Sequence, residues 1–180
     1  MMAVVPLLAA SLGCSNWLME NSYVLSGRTM DLGLPTQSFG LQTLPAGGTL
    51  SSLVKPVSTA RYGSVGAIPL ANSPWGKNVH GFTGGLNERG LSCDVQTLTS
   101  SEMGPASNTS KDVYVLYFCE FVLATFADTK TLGAALRNGS VHVWGDASTS
   151  GSGGFHHSVR DAAGLSLVVE YVGGGMQVLA

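Results

Sequence analysis

Charge is scarce in this chain. Nine Lys and Arg and eleven Asp and Glu are spread over 180 residues, with a formal net charge of −2. Nucleic-acid binding draws on clustered basic side chains that displace counterions; the basic residues here are scattered, which excludes that partner. Cysteine is sparser still: Cys14, Cys93 and Cys119, an odd number without a Cys-x-x-Cys pair. That argues against a disulfide framework and against a cysteine-built zinc site. At most one bridge can form, and the sequence does not say between which two. A strand and an apolar helix carry Cys93 and Cys119, which reads as inert core thiols. The N-terminal run MMAVVPLLAASLG lacks any Lys or Arg, so it is not a complete signal peptide. Residues 1–13 read instead as a trimmed or incomplete signal or as a short propeptide, with a secretory route favoured over a cytoplasmic one. SLGC is close to the end of a lipoprotein signal, but Ser11 stands where leucine is usual.

What the chain does have is apolar mass and glycine. Hydrophobic residues make up 44% of it, enough for one domain with a sizeable core, and 24 glycines suit a turn-rich sheet protein better than a helical bundle. SYVLSGRTM (22–30) reads as a strand with an irregularity at Gly27, and residues 34–60 as short strands and loops. SVGAIPL (64–70) and HGFTGG (80–85) are short strands, and GLNERGLSCDVQTL (85–98) is a hairpin turning at Asn87–Gly90. After a polar loop, Thr109…Asp112 predicts a helix start of capping-box type. DVYVLYFCEFVLATF (112–126), apolar on almost every side, then predicts a buried helix, since it is too short to cross a bilayer. Asp128 predicts the cap of a second, amphipathic helix that Asn138–Gly139 stops. VHVWG, a Ser/Gly loop over 148–154, and a hairpin of FHHSVRD (155–161) with LSLVVEYV (165–172) follow. Strands, two helices, then strands predict an α+β domain built from antiparallel hairpins.

Several polar features have plain readings. His156 and His157 are adjacent on a strand, point to opposite faces and suit no common metal. The GSGG loop has neither the lysine of a P-loop nor a strand–helix setting. Asn108-Thr109-Ser110 and Asn138-Gly139-Ser140 fit the glycosylation pattern, which matters only in a eukaryotic secretory route. Cys14 alone reads as a core or signal-end residue, Arg28 with Asp31 as a surface pair, and Asn87 with Gly90 as a good turn.

In order, however, Cys14, GRTMD (27–31), GLNERGL (85–91), a buried helix and SVRDAAGLSLVVEY (158–171) resemble the choloylglycine hydrolase and penicillin V acylase family. The resemblance runs from Cys14 to about Tyr171. It implies an α+β, four-layer αββα fold of N-terminal-nucleophile hydrolase type with antiparallel sheets. Family members are usually far longer, so residues 14–180 are expected to hold only the N-terminal half to two-thirds of such a domain. The implied reaction is hydrolysis of a linear N-acyl amide, with bile salts, penicillin V and other N-acyl amines all open, no cofactor and no metal. Removal of residues 1–13 would free the α-amine of Cys14, making one residue both nucleophile and base. By the resemblance, Asp31 would hold that amine and Arg28 would favour the thiolate. Ten residues beyond Asn87, where relatives carry Asn or Tyr, this chain has Thr97, whose backbone N–H could serve an oxyanion. Catalytic candidates are therefore Cys14, Arg28 and Asp31, with Thr97 and Asn87 as oxyanion or substrate candidates. The spacing from Cys14 to Arg28 is two residues shorter than the family's. Alternatives are an inactive fragment or interaction module of the same fold, or a lipid-anchored binding protein in which Cys14 is the processing residue. The partner expected is a small molecule, with no transmembrane segment and with a homo-oligomer left open.

Overall fold

The computed structural model describes residues 16–20, 24–29, 39–70, 81–149 and 154–180. The N-terminal segment, Cys14 and Asp31 lie outside the described residues.

Seven antiparallel strands form the main sheet. In chain order they are β3 (Phe39–Leu44), β4 (Ser64–Pro69), β5 (Gly84–Asn87), β6 (Ser92–Thr97), β9 (Phe155–Arg160), β10 (Ser166–Val172) and β11 (Gly175–Leu179). Across the sheet the order is β11-β10-β9-β6-β5-β4-β3. The expected hairpins are present. Gly90 at φ 80° closes the turn after Asn87, and Gly164 at φ 83° closes the turn between β9 and β10. The last strand, β11, was not expected. Its signal is Gly173–Gly174, both at positive φ, which make the two-residue turn that suits twisted strands. Sequence continuity does not predict the central pairing of β6 with β9, in which Cys93 faces Val159 and Asp94 faces Ser158.

Between those two strands the chain leaves the sheet to build one face of the core. α1 (Phe118–Thr125) and α2 (Thr129–Arg137) occupy this excursion. α1 is buried on all sides from Phe118 to Ala124, as its unbroken apolar sequence requires. Even Glu120 is enclosed, and burial pushes its carboxyl above the usual range. Asp128 caps α2 by accepting from the Thr131 N–H at 2.7 Å, and Gly139 at φ 71° ends it.

Two expectations change here. α1 begins six residues after Asp112, because Asp112–Tyr114 form β7, a parallel partner of β8 (His142–Trp144). Asp112 is no helix cap: its fully buried carboxylate accepts from Ser107 and from Lys55 Nζ at 3.3 Å. β-branched and aromatic side chains in DVY and HVW favour the pairing over a helical turn. The second change is a disulfide, Cys93–Cys119. Strand alternation turns Cys93 toward the helices, and the first turn of α1 sets Cys119 over it with a Cα–Cα distance of 5.3 Å. The two are therefore bonded to each other, not free core thiols.

The other face of the sheet carries a separate hairpin of β1 (Asn16–Glu20) and β2 (Val24–Arg28). The irregularity at Gly27 has a cause: Trp17 lies directly opposite, and a Cβ on Gly27 would come 2.2 Å from the indole. Alternation then separates two sets of side chains. Trp17, Met19 and Leu25 face outward and are exposed, whereas Asn16 and Arg28 face the sheet. Helices, sheet and hairpin thus stack in layers, and the inner face of the hairpin is where charged groups meet.

Candidate functional site

Three charged side chains converge between the hairpin and the sheet. At the end of β2, Arg28 donates from Nη1 to the carbonyl oxygen of Thr83 and lies 3.6 Å from Asp94 Oδ1. On the middle strand β6, Asp94 also accepts from Asn16 Nδ2 at 3.4 Å, and Arg160 Nη1 of β9 stands 3.9 Å from its Oδ2. The register explains the meeting. Asp94 opposes Ser158, so Arg160 is its diagonal neighbour on the same face. On β5, Gly84 opposes Asp94 from the other side and leaves room for Arg28.

Burial dominates the electrostatics. It pushes the Asp94 carboxyl above the usual range despite the opposing pull of Arg28 and then Arg160. It also depresses Arg160, which Asp94 partly offsets. Two arginines against one carboxylate leave a net positive group, which favours an anion or a thiolate nearby. Nε and Nη1 of Arg160 are buried without hydrogen-bond partners among the described residues. A polar row continues along the strands, where Gln96 Oε1 accepts from Ser158 Oγ at 2.9 Å and lies 3.1 Å from His156 Nε2.

A methyl group at Gly84 would sit 2.6 Å from Asp94 Oδ1 and 3.1 Å from Arg28 Nη1. Gly84→Ala is therefore expected to part the pair and destabilise the fold by about 1–3 kcal/mol through overpacking. Urea unfolding measures this, and an unchanged midpoint would show that the ion pair yields freely.

Of the sequence-derived candidates among the described residues, Arg28 alone has its side chain in this cluster. Asn87 sits on the helix side of the sheet, 4% exposed. Its Nδ2 donates to the carbonyls of Leu123 and Phe126 at 2.9 and 2.8 Å, and its Oδ1 accepts from the N–H groups of Arg89 and Leu91 at 3.0 Å. It joins the Asn87–Gly90 turn to the end of α1, and those four bonds occupy its amide. Thr97 follows Cys93 and Val95 by alternation, so its side chain also points toward the helices. Its Oγ1 is buried with no partner among the described residues. The backbone N–H of Thr97 points elsewhere. Leu98 N–H bonds Gly154 in β9's direction, and Val95 N–H bonds Thr83 O at 3.0 Å on the opposite edge. Thr97 N–H therefore points along that same edge, one strand repeat of about 7 Å beyond the carbonyl that anchors Arg28.

The two histidines divide as expected: His156 joins the polar row, and His157 is buried against Phe118 and Tyr171. Sequence reasoning missed Asp94 and Arg160. Their signal was available, as charges inside central strands of a chain with few charges. Buried charges are rarely placed without a partner. Among the described residues no three His, Cys, Asp or Glu converge as a metal site would need, and no helix is long and apolar enough to cross a membrane.

Residues 14–180 match the model of the linear amide C–N hydrolases, choloylglycine hydrolase family. No curated protein sequence matches significantly. Among solved structures, penicillin V acylase from Agrobacterium tumefaciens is similar at 26% identity and TM-score 0.70, over 93% of this chain and 49% of that one. A variant of the conjugated bile acid hydrolase from Clostridium perfringens shares the fold at 22% identity and TM-score 0.70, over 93% and 50% of the two chains. The chain spans about half the length of the solved structures it matches.

Proposed function

The chain belongs to the choloylglycine hydrolase family of linear amide C–N hydrolases, and on that premise we propose that it cleaves an N-acyl amide with Cys14 as nucleophile. Arg28 carries the reading: it is the family-motif residue whose side chain lies against the sheet, held by Thr83 and Asp94. Removal of residues 1–13 frees the Cys14 α-amine, a base with an ordinary pKa of roughly 7.7–8.0. The amine takes the thiol proton as sulfur attacks the acyl carbon. It then gives that proton to the departing amine as the C–N bond breaks, leaving a thioester. Water, deprotonated by the same α-amine, attacks the thioester and releases the carboxylic acid and the thiol. Arg28 favours the thiolate, Asp31 orients the ammonium, and the Thr97 N–H contributes to the oxyanion site. Penicillin V, bile-acid conjugates and other N-acyl amines are the substrate classes to try. A buried disulfide suits an oxidising compartment, which supports a secretory route.

Trapping tests the nucleophile. Incubation with penicillin V and a panel of N-acyl amides is expected to release amine and to add an acyl mass to the peptide beginning at Cys14. Cys14→Ala is expected to abolish both. Amine release that survives Cys14→Ala would sink the assignment.

A second reading, an interaction module of the same fold, is favoured by apolar side chains on the hairpin side of the sheet: Leu41 is 83% exposed, and Val65 and Leu86 are exposed beside it. Absence of both acyl adduct and amine release across the panel would support that reading. Intact mass separates the lipid-anchored alternative, since a diacylglyceryl adduct on Cys14 would establish it.

A further inference from the structure

The hydrolytic steps above leave Asp94 and Arg160 without a role, although both are largely buried and both face Arg28's inner side of the hairpin. A buried carboxylate on a central strand needs a reason to be there, because apolar residues of the same size are cheaper to bury. Its two oxygens are divided between two sides. Oδ1 faces Arg28, while Oδ2 faces Arg160 and accepts from Asn16. Thr83's carbonyl by itself would fix one nitrogen of Arg28 and leave the guanidinium plane free to turn. The carboxylate supplies the second point that sets the plane.

We propose that Asp94 is a positioning residue, which Arg160 braces from the far side, and that it holds the Arg28 guanidinium where it acts on the Cys14 thiol. This rests on the assignment of Cys14 and Arg28 given above. Among the described residues, the charged and polar groups that face Asp94 are Arg28 from β2, Asn16 from β1, and Arg160 with Ser158 from β9. Gly84 opposes it on β5 and brings no side chain to compete. Asp94 acts through Arg28 and takes no part in bond breaking.

Two measurements test this. The first is the ¹⁵N–¹H spectrum of the arginine side chains in the purified chain. With the Thr83 carbonyl accepting from Nη1 and the Asp94 carboxylate paired to the same nitrogen, hindered rotation about Cζ–Nη1 is expected to give resolved Nη–H signals, and in Asp94→Asn these are expected to average. Identical Arg28 signals in Asp94→Asn would overturn the proposal. The second is the pH dependence of Cys14 alkylation by iodoacetamide. Acting through its charge alone, Asp94 disfavours the thiolate, so its removal would lower the midpoint. Acting by position, its removal lets Arg28 withdraw, and the midpoint is expected to rise by about half to one pH unit, ~3–10-fold slower alkylation at pH 7. A midpoint that stays or falls overturns the proposal, and a purely structural role for Asp94 would leave it unmoved. Arg28→Gln is expected to raise the midpoint by itself, with Asp94→Asn adding little to it. Should Arg28→Gln leave the midpoint in place, the Cys14–Arg28 reading fails, and the guanidinium signals decide whether Asp94 holds Arg28. Arg160→Gln, which keeps the Arg28–Asp94 pair, is expected to shift both readouts the same way by less. It serves as the test where Asp94→Asn does not fold.

Discussion

Replacing both Cys93 and Cys119 by Ala is expected to lower stability by about 3–4 kcal/mol. The bridge closes a loop across a sequence separation of 26 residues, and for a loop of that size the lost chain entropy of the unfolded state amounts to roughly 3.5 kcal/mol. Two further effects act in the same direction. Both positions are at most 1% exposed in the core beneath β6, so each Ala leaves a small void. α1 is also short, eight residues, and an isolated helix of that length has no stability of its own. Its position depends on the contacts that fasten it to the sheet. Urea unfolding of the oxidised chain and the double variant measures the difference. A loss under about 1 kcal/mol would mean that packing alone holds α1 in place. Because the sulfurs are enclosed, mild reductant is expected to reach them only through opening of the fold, so a reductant that keeps Cys14 as a thiol leaves the bridge intact.

Acid is expected to weaken the fold well above the range in which carboxylates titrate. Burial pushes His157 down to about 3 from an ordinary 6.5, with smaller contributions from His156 and Arg28. It is packed against Phe118 and shares a 3.0 Å hydrogen bond between its Nδ1 and the Tyr171 hydroxyl. A folded-state pKa below the unfolded one means that the unfolded chain binds the extra proton. Stability from this group is therefore complete above pH 6.5 and is lost as pH falls toward 3, at roughly 1.4 kcal/mol per unit. By pH 5 the loss is about 2 kcal/mol. His156, also lowered by burial, adds in the same direction. The lowered carboxyls of Asp112, Asp146 and Asp161 begin to contribute only as they protonate at lower pH. Glu120 and Asp94, raised by burial, oppose the trend above their ordinary values, because there the folded state holds the extra proton. Over the window from pH 7 to 5, comparison with a variant that lacks His157 separates its contribution from theirs. The paired substitution His157→Phe with Tyr171→Phe replaces both hydrogen-bonding partners by apolar rings. Its urea midpoint is expected to vary much less over that window. A slope equal to that of the unsubstituted chain would show that His157 is not the cause.

Local signals were legible where one short stretch decides the outcome. Asp128 capped α2 and Gly139 ended it because the orphan N–H and carbonyl groups of a helix find partners within a few residues. The turns at Gly90 and Gly164 followed from glycine's access to positive φ. α1 was legible as buried, but not where it begins. The partner of Asp112–Tyr114 is His142–Trp144, some thirty residues away in sequence, and no local pattern reports a pairing at that distance. The same distance hid the Cys93–Cys119 bridge, since counting three cysteines cannot tell which two the fold brings face to face.

For the site, sequence order alone was enough to determine the family: Cys14, the GRTMD motif, the NERG turn and the late hairpin are local motifs whose succession needs no coordinates. The alternation of β6 and β9 could be read as well, and with it the two faces that Cys93 and Asp94 take. What only the tertiary structure decided is which side chains share a face across strands that are distant in the chain. β6 pairs with β9 after an excursion of more than fifty residues, and the β1–β2 hairpin lies over that pair. This places Arg28, Asp94 and Arg160 together and leaves Asn87 on the helix side, bonded to the carbonyls that end α1. The physical reason is that a charge is admitted to a core only where it is paired or hydrogen-bonded, and the three charges paired here come from three separate strands.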